Sequence, residues 1–358
     1  MRKRCDRTSA EIKRQLGLYR GYSIPLTETR LFRSSYLLLG VSFQKKLFMR
    51  LIAAFLKMIR LPNLLFIALS QALFQFCIYY PLYKGNIPDN DLRSFILLVL
   101  ASLFIAAAGY IINDYFDINI DEVNKPERMV VDKVISRRWA IAWHFILSLT
   151  GILFTILALP ILDKWYLLAG NVFCVILLWF YSTTFKQKIL IGNIVISVLT
   201  AWTLLLIFFS KVSVSDAFGA AHPGQPKFFR FAFLYAGFAF IISLIREAIK
   251  DIEDMPGDAR YGCRTMPIVW GVNVTKVYIA VWMIILISIL VVVQVYVLQF
   301  QWWWAVVYCV VFIVLPLLFI FLRLFKASAV AEYHQLSSWT KLVMLTGILS
   351  MIFFYFYL

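Results

Sequence analysis

"SFILLVLASLFIAAAGYIINDYFDINIDEVNKPER", residues 94–128, decides the fold. The stretch from Ser94 to Asn113 carries no charge, and its length matches the roughly 20 apolar residues that an α-helix needs to cross a bilayer. Four carboxylates then crowd the positions that follow, Asp114, Asp117, Asp121 and Glu122, with Lys125 and Arg128 close behind. Working outward, apolar runs of similar length recur near 60–82, 92–113, 138–160, 164–182, 190–210, 229–246, 267–297, 302–322 and 338–357. That makes nine candidate spans.

The composition agrees. Of 358 residues, 62% are hydrophobic and only 15% charged, against about 25% charged in soluble domains. The chain reads as all-α, a polytopic membrane protein with about nine transmembrane helices in a bundle. Its net charge of +16 is unevenly spread, since residues 1–59 hold thirteen Lys/Arg against three Asp/Glu. A basic segment beside a first membrane helix marks a cytoplasmic end near anionic lipid. It does not suggest a nucleic-acid surface, which needs folded, base-reading side chains. With the amino terminus inside, the loops on its side carry thirteen Lys/Arg and the opposite loops six, which places both acidic clusters described below on the cytoplasmic side. The expected location is a bacterial inner or cell membrane.

Residues 1–48 read as a basic cytoplasmic tail. Residues 1–45 lack an apolar core long enough to span, and "LFRSSYLLLGVSF" (31–43) is too short and too polar at its flanks for a signal peptide; two readings stay open, a surface-lying amphipathic segment or residues ahead of a true start at Met49. Residues 49–358 form the transmembrane domain. The five cysteines (5, 77, 174, 263, 309) and three histidines (144, 222, 334) are scattered, so neither a disulfide framework nor a zinc site is indicated.

Chemistry concentrates in two places. Asn113, Asp117 and Asp121 fall at i, i+4 and i+8, which stacks three oxygen-bearing side chains on one helix face, and Asp114 lies beside them. A second cluster lies in "REAIKDIEDMPGDARYGCRTMPIVWG" (246–271), where Glu247, Asp251 and Asp254 share the end of the sixth helix. Pro256 and Gly257 are expected to break that helix, so that Asp258 reaches back from a loop. Segments 113–132 and 246–258 hold eleven of the nineteen Asp/Glu. Solvated loops would show mixed charge without fixed spacing; the twin four-residue intervals Asp117 to Asp121 and Asp254 to Asp258 argue for a site.

Carboxylates without histidine or thiolate select a hard cation such as magnesium, which takes one or two carboxylates and fills its octahedron with water and phosphate oxygens. Two such clusters on one cavity hold two or three ions, and their guest is a diphosphate, whose repulsion by the carboxylates the metals invert. Lys125, Arg128, Lys186, Lys188 and Arg264, all on the same side, add charge-assisted contacts. The diphosphate that enters from a bilayer is a polyprenyl diphosphate, and ionisation of its allylic C–O bond lets a nucleophile capture the carbocation. Tyr110, Tyr115, Phe116, Tyr181 and Trp270 are the neighbouring aromatics that could face such a cation. A cation- or proton-coupled transporter would place its acids within broken spans. A CDP-alcohol phosphotransferase would need an Asp-Gly-x2-Ala-Arg core, which "GDAR" at 257–260 does not supply.

At these residues the chain resembles the UbiA-type intramembrane prenyltransferase superfamily. The family's Asn-x3-Asp-x3-Asp motif matches Asn113, Asp117 and Asp121, and its Asp-x3-Asp motif matches Asp254 and Asp258. "RLPNLL" (60–65) resembles the opening of its first helix, with Asn63 in a usual polar position facing the cavity or acceptor, alongside Asp114. "YSTTFKQKILIGN" (181–193) resembles the segment that sets a tyrosine, here Tyr181, and basic residues near the diphosphate. The resemblance covers roughly residues 50–358. It implies nine helices around a central cavity, two magnesium ions and a prenyl diphosphate donor, with Asp117, Asp121, Asp254 and Asp258 as principal ligands and Asn113 orienting the first group. The extra aspartate, Asp251, and the run "DINIDEVNKPER" are similar to the branch that makes digeranylgeranylglyceryl phosphate, which implies a geranylgeranyl-type donor and a glycerol-phosphate ether lipid as acceptor. Asp251 would then hold metal or position that acceptor. The other branches imply an aromatic quinone precursor of the hydroxybenzoate or naphthoate type. One departure stands out: the family's "RPIPSG" continuation reads "RMVVDKVIS" here from Arg128.

Overall fold

The computed structural model describes residues 49–127, 129–212 and 224–358. The chain divides into two units, Met1–Ala53 and Ala54–Leu358; of the first, only residues 49–53 are described, and they are helical. The expected tail, together with Arg128, Cys5 and His222, lies outside the described residues.

Nine helices among the described residues are long and apolar enough to cross a membrane. They are α1 (Leu61–Leu82), α2 (Asp91–Phe116), α3 (Arg137–Ala158), α4 (Leu162–Thr183), α5 (Ile191–Lys211), α6 (Gln225–Arg260), α7 (Val272–Leu298), α8 (Trp303–Lys326) and α9 (Val330–Tyr357). No strand occurs among the described residues; an isolated bridge joins Val131 and Ile135. In hydrocarbon every backbone polar group must be satisfied internally, and a helix does this within one segment. The molecule is therefore an integral, multi-pass membrane protein.

Each helix packs on its neighbour in sequence, and α9 returns to α1, closing a ring. Cross contacts of α1 with α5, α2 with α4 and α5, and α6 with α9 fill the interior. The apolar stretches of α2 and α5 are 56% and 50% buried, those of α4 and α7 only 22%, so α2 and α5 are inner helices and α4 and α7 face lipid. Small residues permit the tight α2–α3 contact: a Cβ at Gly151 would sit 2.7 Å from the Ile105 side chain and 3.1 Å from the Ala101 carbonyl.

Two local expectations need correction, and both concern the site. The sixth helix does not break at Pro256 and Gly257, and Asp258 does not reach back from a loop. The helix runs for 36 residues to Arg260 with Pro256 inside it, a length of about 54 Å at about 1.5 Å per residue, well beyond a hydrocarbon core of about 30 Å. Its last turns therefore stand at the membrane rim. Pro256 forfeits one N–H bond, and a side chain from another segment, described below, holds the turn together. The first motif, conversely, is not one straight stack: α2 ends at Phe116, and Asp117 (φ −88°, ψ 0°) bends the chain into a short helix, Ile118–Asn124.

At the opposite end of α2 from the motif, Asp91 is buried between two partners. It accepts hydrogen bonds from Gln75 Nε2 (2.6 Å) and Lys211 Nζ (2.6 Å).

Candidate active site

The first motif is held by its own backbone. Asp117 N–H donates to the Asn113 carbonyl at 3.0 Å and Asp121 N–H to the Asp117 carbonyl at 2.8 Å, so the helical ladder continues through the bend. Asn113 Nδ2 donates to Asp117 Oδ2 at 2.6 Å, and Lys186, from the α4–α5 connection, forms an ion pair with the same oxygen. Asp117 is only 4% exposed. That excludes a merely solvated loop carboxylate.

The continuation of α6 puts Asp254 and Asp258 one turn apart on a single helix, and Asp258 is 5% exposed. Lys125, from the end of the short helix after motif one, reaches across to Asp254 Oδ1 at 2.6 Å and lies 3.7 Å from Glu253 Oε1. Its neighbour Asn124 grips the same turn. Asn124 Nδ2 donates to the Asp254 carbonyl at 2.9 Å, and Gly257 N–H donates to Asn124 Oδ1 at 2.9 Å. These bonds bracket Pro256, the residue without an N–H of its own. Gly257 is required here, because a Cβ would lie 2.5 Å from Asn124 Nδ2. The two aspartate-bearing ends thus share one rim, and Asp258 lies within electrostatic reach of Asp117 and Lys186.

The remaining expected residues divide. Asp251 accepts from Asn193 Nδ2 of α5 at 2.9 Å, and Tyr181 lies within electrostatic reach of Lys186, Glu247, Asp117 and Asp251. Asp114 turns from the metal motif toward Arg60, with Nη2 to Oδ1 at 2.7 Å, and the Arg60 guanidinium stacks 5.0 Å from the Tyr110 ring centroid. Asn63 Oδ1 accepts from Lys341 Nζ of α9 at 2.8 Å. Lys188 and Arg264 are exposed and make no ion pair among the described residues; the backbone N–H of Arg264 bonds the Gln187 carbonyl at 2.8 Å instead. Phe116 and Trp270 are 40% and 39% exposed, so of the five aromatics these two face outward. Arg60, Asn124, Asn193 and Lys341 were not anticipated. Lys341 had a signal, as a lone cation inside an apolar span; the partners of the others lie too far away in sequence to be read.

The electrostatics are those of a crowded anionic site. Burial first, and the Asp117 charge second, push the Asp121 carboxyl up to about 6. Burial works against the Lys186 ammonium, yet the Asp117 charge holds it well above the ordinary lysine range. Among the described residues no three His, Cys, Asp or Glu side chains converge into a cage. The donors nevertheless fit a hard divalent cation that takes one or two carboxylates: the set is all oxygen, and Asn113 Oδ1, beside Asp117, is buried without a hydrogen-bond partner among the described residues. Such an orphan is costly unless something outside the chain completes it.

A model of the UbiA prenyltransferase family matches residues 72–342. The chain is 33% identical over 228 residues to the digeranylgeranylglyceryl phosphate synthase of Methanospirillum hungatei, covering 64% of this chain and 72% of that one. Its fold is similar to a solved structure described as digeranylgeranylglyceryl phosphate synthase in membranes, with a TM-score of 0.53 and 21% identity, covering 84% of this chain and 98% of the other. A UbiA homolog from Archaeoglobus fulgidus bound to DMAPP and Mg2+ aligns with a TM-score of 0.52 at 15% identity, covering 83% of this chain and 98% of that one.

Proposed function

The chain belongs to the UbiA prenyltransferase family, and on that premise we propose that it transfers a geranylgeranyl-type group from its diphosphate to the hydroxyl of a glycerol-phosphate ether lipid. It is a membrane prenyltransferase; the donor length, the acceptor, the metal and the residue roles are our reading. One observation carries it: Lys125 and Asn124, from the first motif's segment, are bonded to the second motif at Asp254 and Gly257. Two carboxylate groups on one rim suit one diphosphate.

In this reading Asp117, Asp121, Asp254 and Asp258 hold magnesium, with Asn113 Oδ1 turned toward the first ion. When bound, magnesium would neutralise the diphosphate and make it a better leaving group. Lys186 and Lys125 stand against the same aspartates and supply charge-assisted contacts to phosphate oxygens, and Tyr181 lines that side. The buried apolar walls beneath the rim keep water from the allylic carbon, so that the acceptor oxygen forms the new C–O bond as the C–O bond to diphosphate breaks, the hydroxyl proton passing to the departing diphosphate. Asp251, fixed by Asn193, orients the acceptor side. The distribution of Lys and Arg favours a cytoplasmic rim and amino terminus. Residues 49–358 would make up the catalytic unit, with residues 1–48 as a basic tail.

The test uses the purified chain, radiolabelled geranylgeranyl diphosphate and either an ether-lipid glycerol phosphate or hydroxybenzoate. Magnesium-dependent labelling of the lipid is expected, with Asp117→Ala and Asp258→Ala inactive yet folded. Turnover retained in both variants overturns the site, and labelling of hydroxybenzoate alone overturns the acceptor.

A further inference from the structure

Just below the rim lies a second group of charges that the metal motifs do not use. Arg246 and Lys250 of α6 share a single carboxylate, with Arg246 Nη1 2.9 Å from Glu247 Oε1 and Lys250 Nζ 3.1 Å from Glu247 Oε2. Arg246 Nε is buried without a hydrogen-bond partner among the described residues. Lys341 of α9, within electrostatic reach of Arg246, has among the described residues only the neutral Asn63 Oδ1 as hydrogen-bond partner and lies 5.1 Å from the Phe66 ring centroid. Of the nearby carboxylates, Asp114 pairs with Arg60, while Asp251 accepts from the neutral Asn193 and stays within electrostatic reach of Lys250. Among the described residues three cations therefore face two carboxylates, Glu247 and Asp251, leaving one positive charge uncompensated at the inner membrane edge.

Charges at this depth are expensive and need counter-charge. Directly beneath, a mostly apolar slot between α1, α5, α6 and α9 is lined by Phe66, Phe238, Ile242, Met344 and Ile348, with Thr200 and Thr203 on its α5 wall. Phe66 belongs to both features, so the cation group caps the slot. The matching guest has an anionic head with enough acceptor oxygens for three cationic side chains, and a hydrocarbon chain. A phosphate monoester offers three strong acceptor oxygens to these three cations; a carboxylate offers two.

We propose that Arg246, Lys250 and Lys341 form a metal-independent anion site that receives the phosphate monoester of the lipid acceptor, whose chain enters the slot beneath Phe66. This rests on the lipid-acceptor reading above and adds the group that distinguishes a phosphorylated acceptor from an aromatic carboxylate.

The experiment has two arms. In the first, dodecyl phosphate, laurate and inorganic phosphate are titrated by calorimetry into the full chain in EDTA. Dodecyl phosphate should bind at least about tenfold more tightly than either of the others. Lys341→Gln and Arg246→Gln should each weaken it by about tenfold or more, whereas Asp117→Ala should bind it as the parent does. Binding that requires magnesium, or that is lost in Asp117→Ala and retained in Lys341→Gln, overturns the proposal. In the second arm, Lys341→Gln should raise KM for the phosphorylated acceptor about tenfold and leave KM for the prenyl diphosphate within about twofold. A rise in donor KM alone assigns these cations to the donor and refutes us. Should Arg246→Gln fail to fold, Lys341→Gln carries both arms. If the parent protein transfers no prenyl group, the function above fails while the EDTA titration still decides this site.

Discussion

The Asn124–Gly257 clamp makes a prediction whose size follows from the structure. Asn124→Ala removes two part-buried hydrogen bonds, to the Asp254 carbonyl and from the Gly257 N–H. At about 1 kcal/mol each, the cost is about 2 kcal/mol. Gly257→Ala acts from the other side: its Cβ would lie 2.5 Å from Asn124 Nδ2 and 2.6 Å from Asn124 Oδ1, so the side chain must leave and the same two bonds are lost. Alanine returns about 1 kcal/mol of helix propensity relative to glycine, for a net loss of about 1 kcal/mol. Independent effects would give the double variant a loss of about 3 kcal/mol. If the two residues form one clamp, the bonds are lost once and the propensity gain survives, leaving a loss of about 1 kcal/mol.

The cycle is read in two ways. Unfolding in detergent gives the energies, and magnesium titration of prenyl transfer tells where they are felt. The clamp joins the two aspartate-bearing segments, so its loss should raise the magnesium concentration at half-maximal rate, by up to about 30-fold for 2 kcal/mol. The rate at saturating metal should largely return. A double variant that shows the full sum, or single variants with unaltered metal dependence, would refute the clamp.

Other outcomes follow from the ion pairs. Lys186→Gln should raise donor KM by about 10- to 100-fold while lowering the magnesium needed for half-maximal rate, since the ammonium on Asp117 no longer competes; the opposite pattern in a metal titration would contradict the pairing. Asp91→Asn strands Lys211, whose side chain is only 5% exposed, and should destabilise the folded state by about 3–5 kcal/mol, read by unfolding in detergent. Donor KM should not change, because Asp91 begins α2 and the motif lies at its other end, about 39 Å away at about 1.5 Å per residue.

What the sequence revealed, and what it hid, divides along a physical line. Lipid imposes a length of about 20 apolar residues on every span, so Ser94–Asn113 and its counterparts were legible from composition. Fixed spacing within one segment was legible too, because Asp254 and Asp258 are one turn apart on any helix. Contacts between segments were not. Pro256 and Gly257 read as a break, and the chain remains helical there through Asn124, 133 positions away. Lys341 and Asn63, 278 positions apart, meet only once α9 closes on α1. Lys188 and Arg264 show a different limit: a cation that anchors topology and one that binds phosphate leave the same mark in sequence, and only the direction of the side chain separates them.

The pairing also explains how two like-charged motifs come to share a rim. Two carboxylates about 10 Å apart repel by about 1.7 kcal/mol at an effective dielectric constant of about 20, and four of them would make the rim unstable if it stood alone. Each group instead takes a cation from another segment: Asp117 from Lys186, Asp254 from Lys125. Lys125 comes from the first motif's own segment, so the contact that neutralises the second motif also draws the two together. A single residue thereby serves assembly and electrostatics, and its replacement by glutamine would loosen the rim and unbalance its charge at once. Asn124, which carries no charge, loosens it only. Comparing the two variants at matched magnesium therefore separates the mechanical contribution of this dipeptide from its electrostatic one.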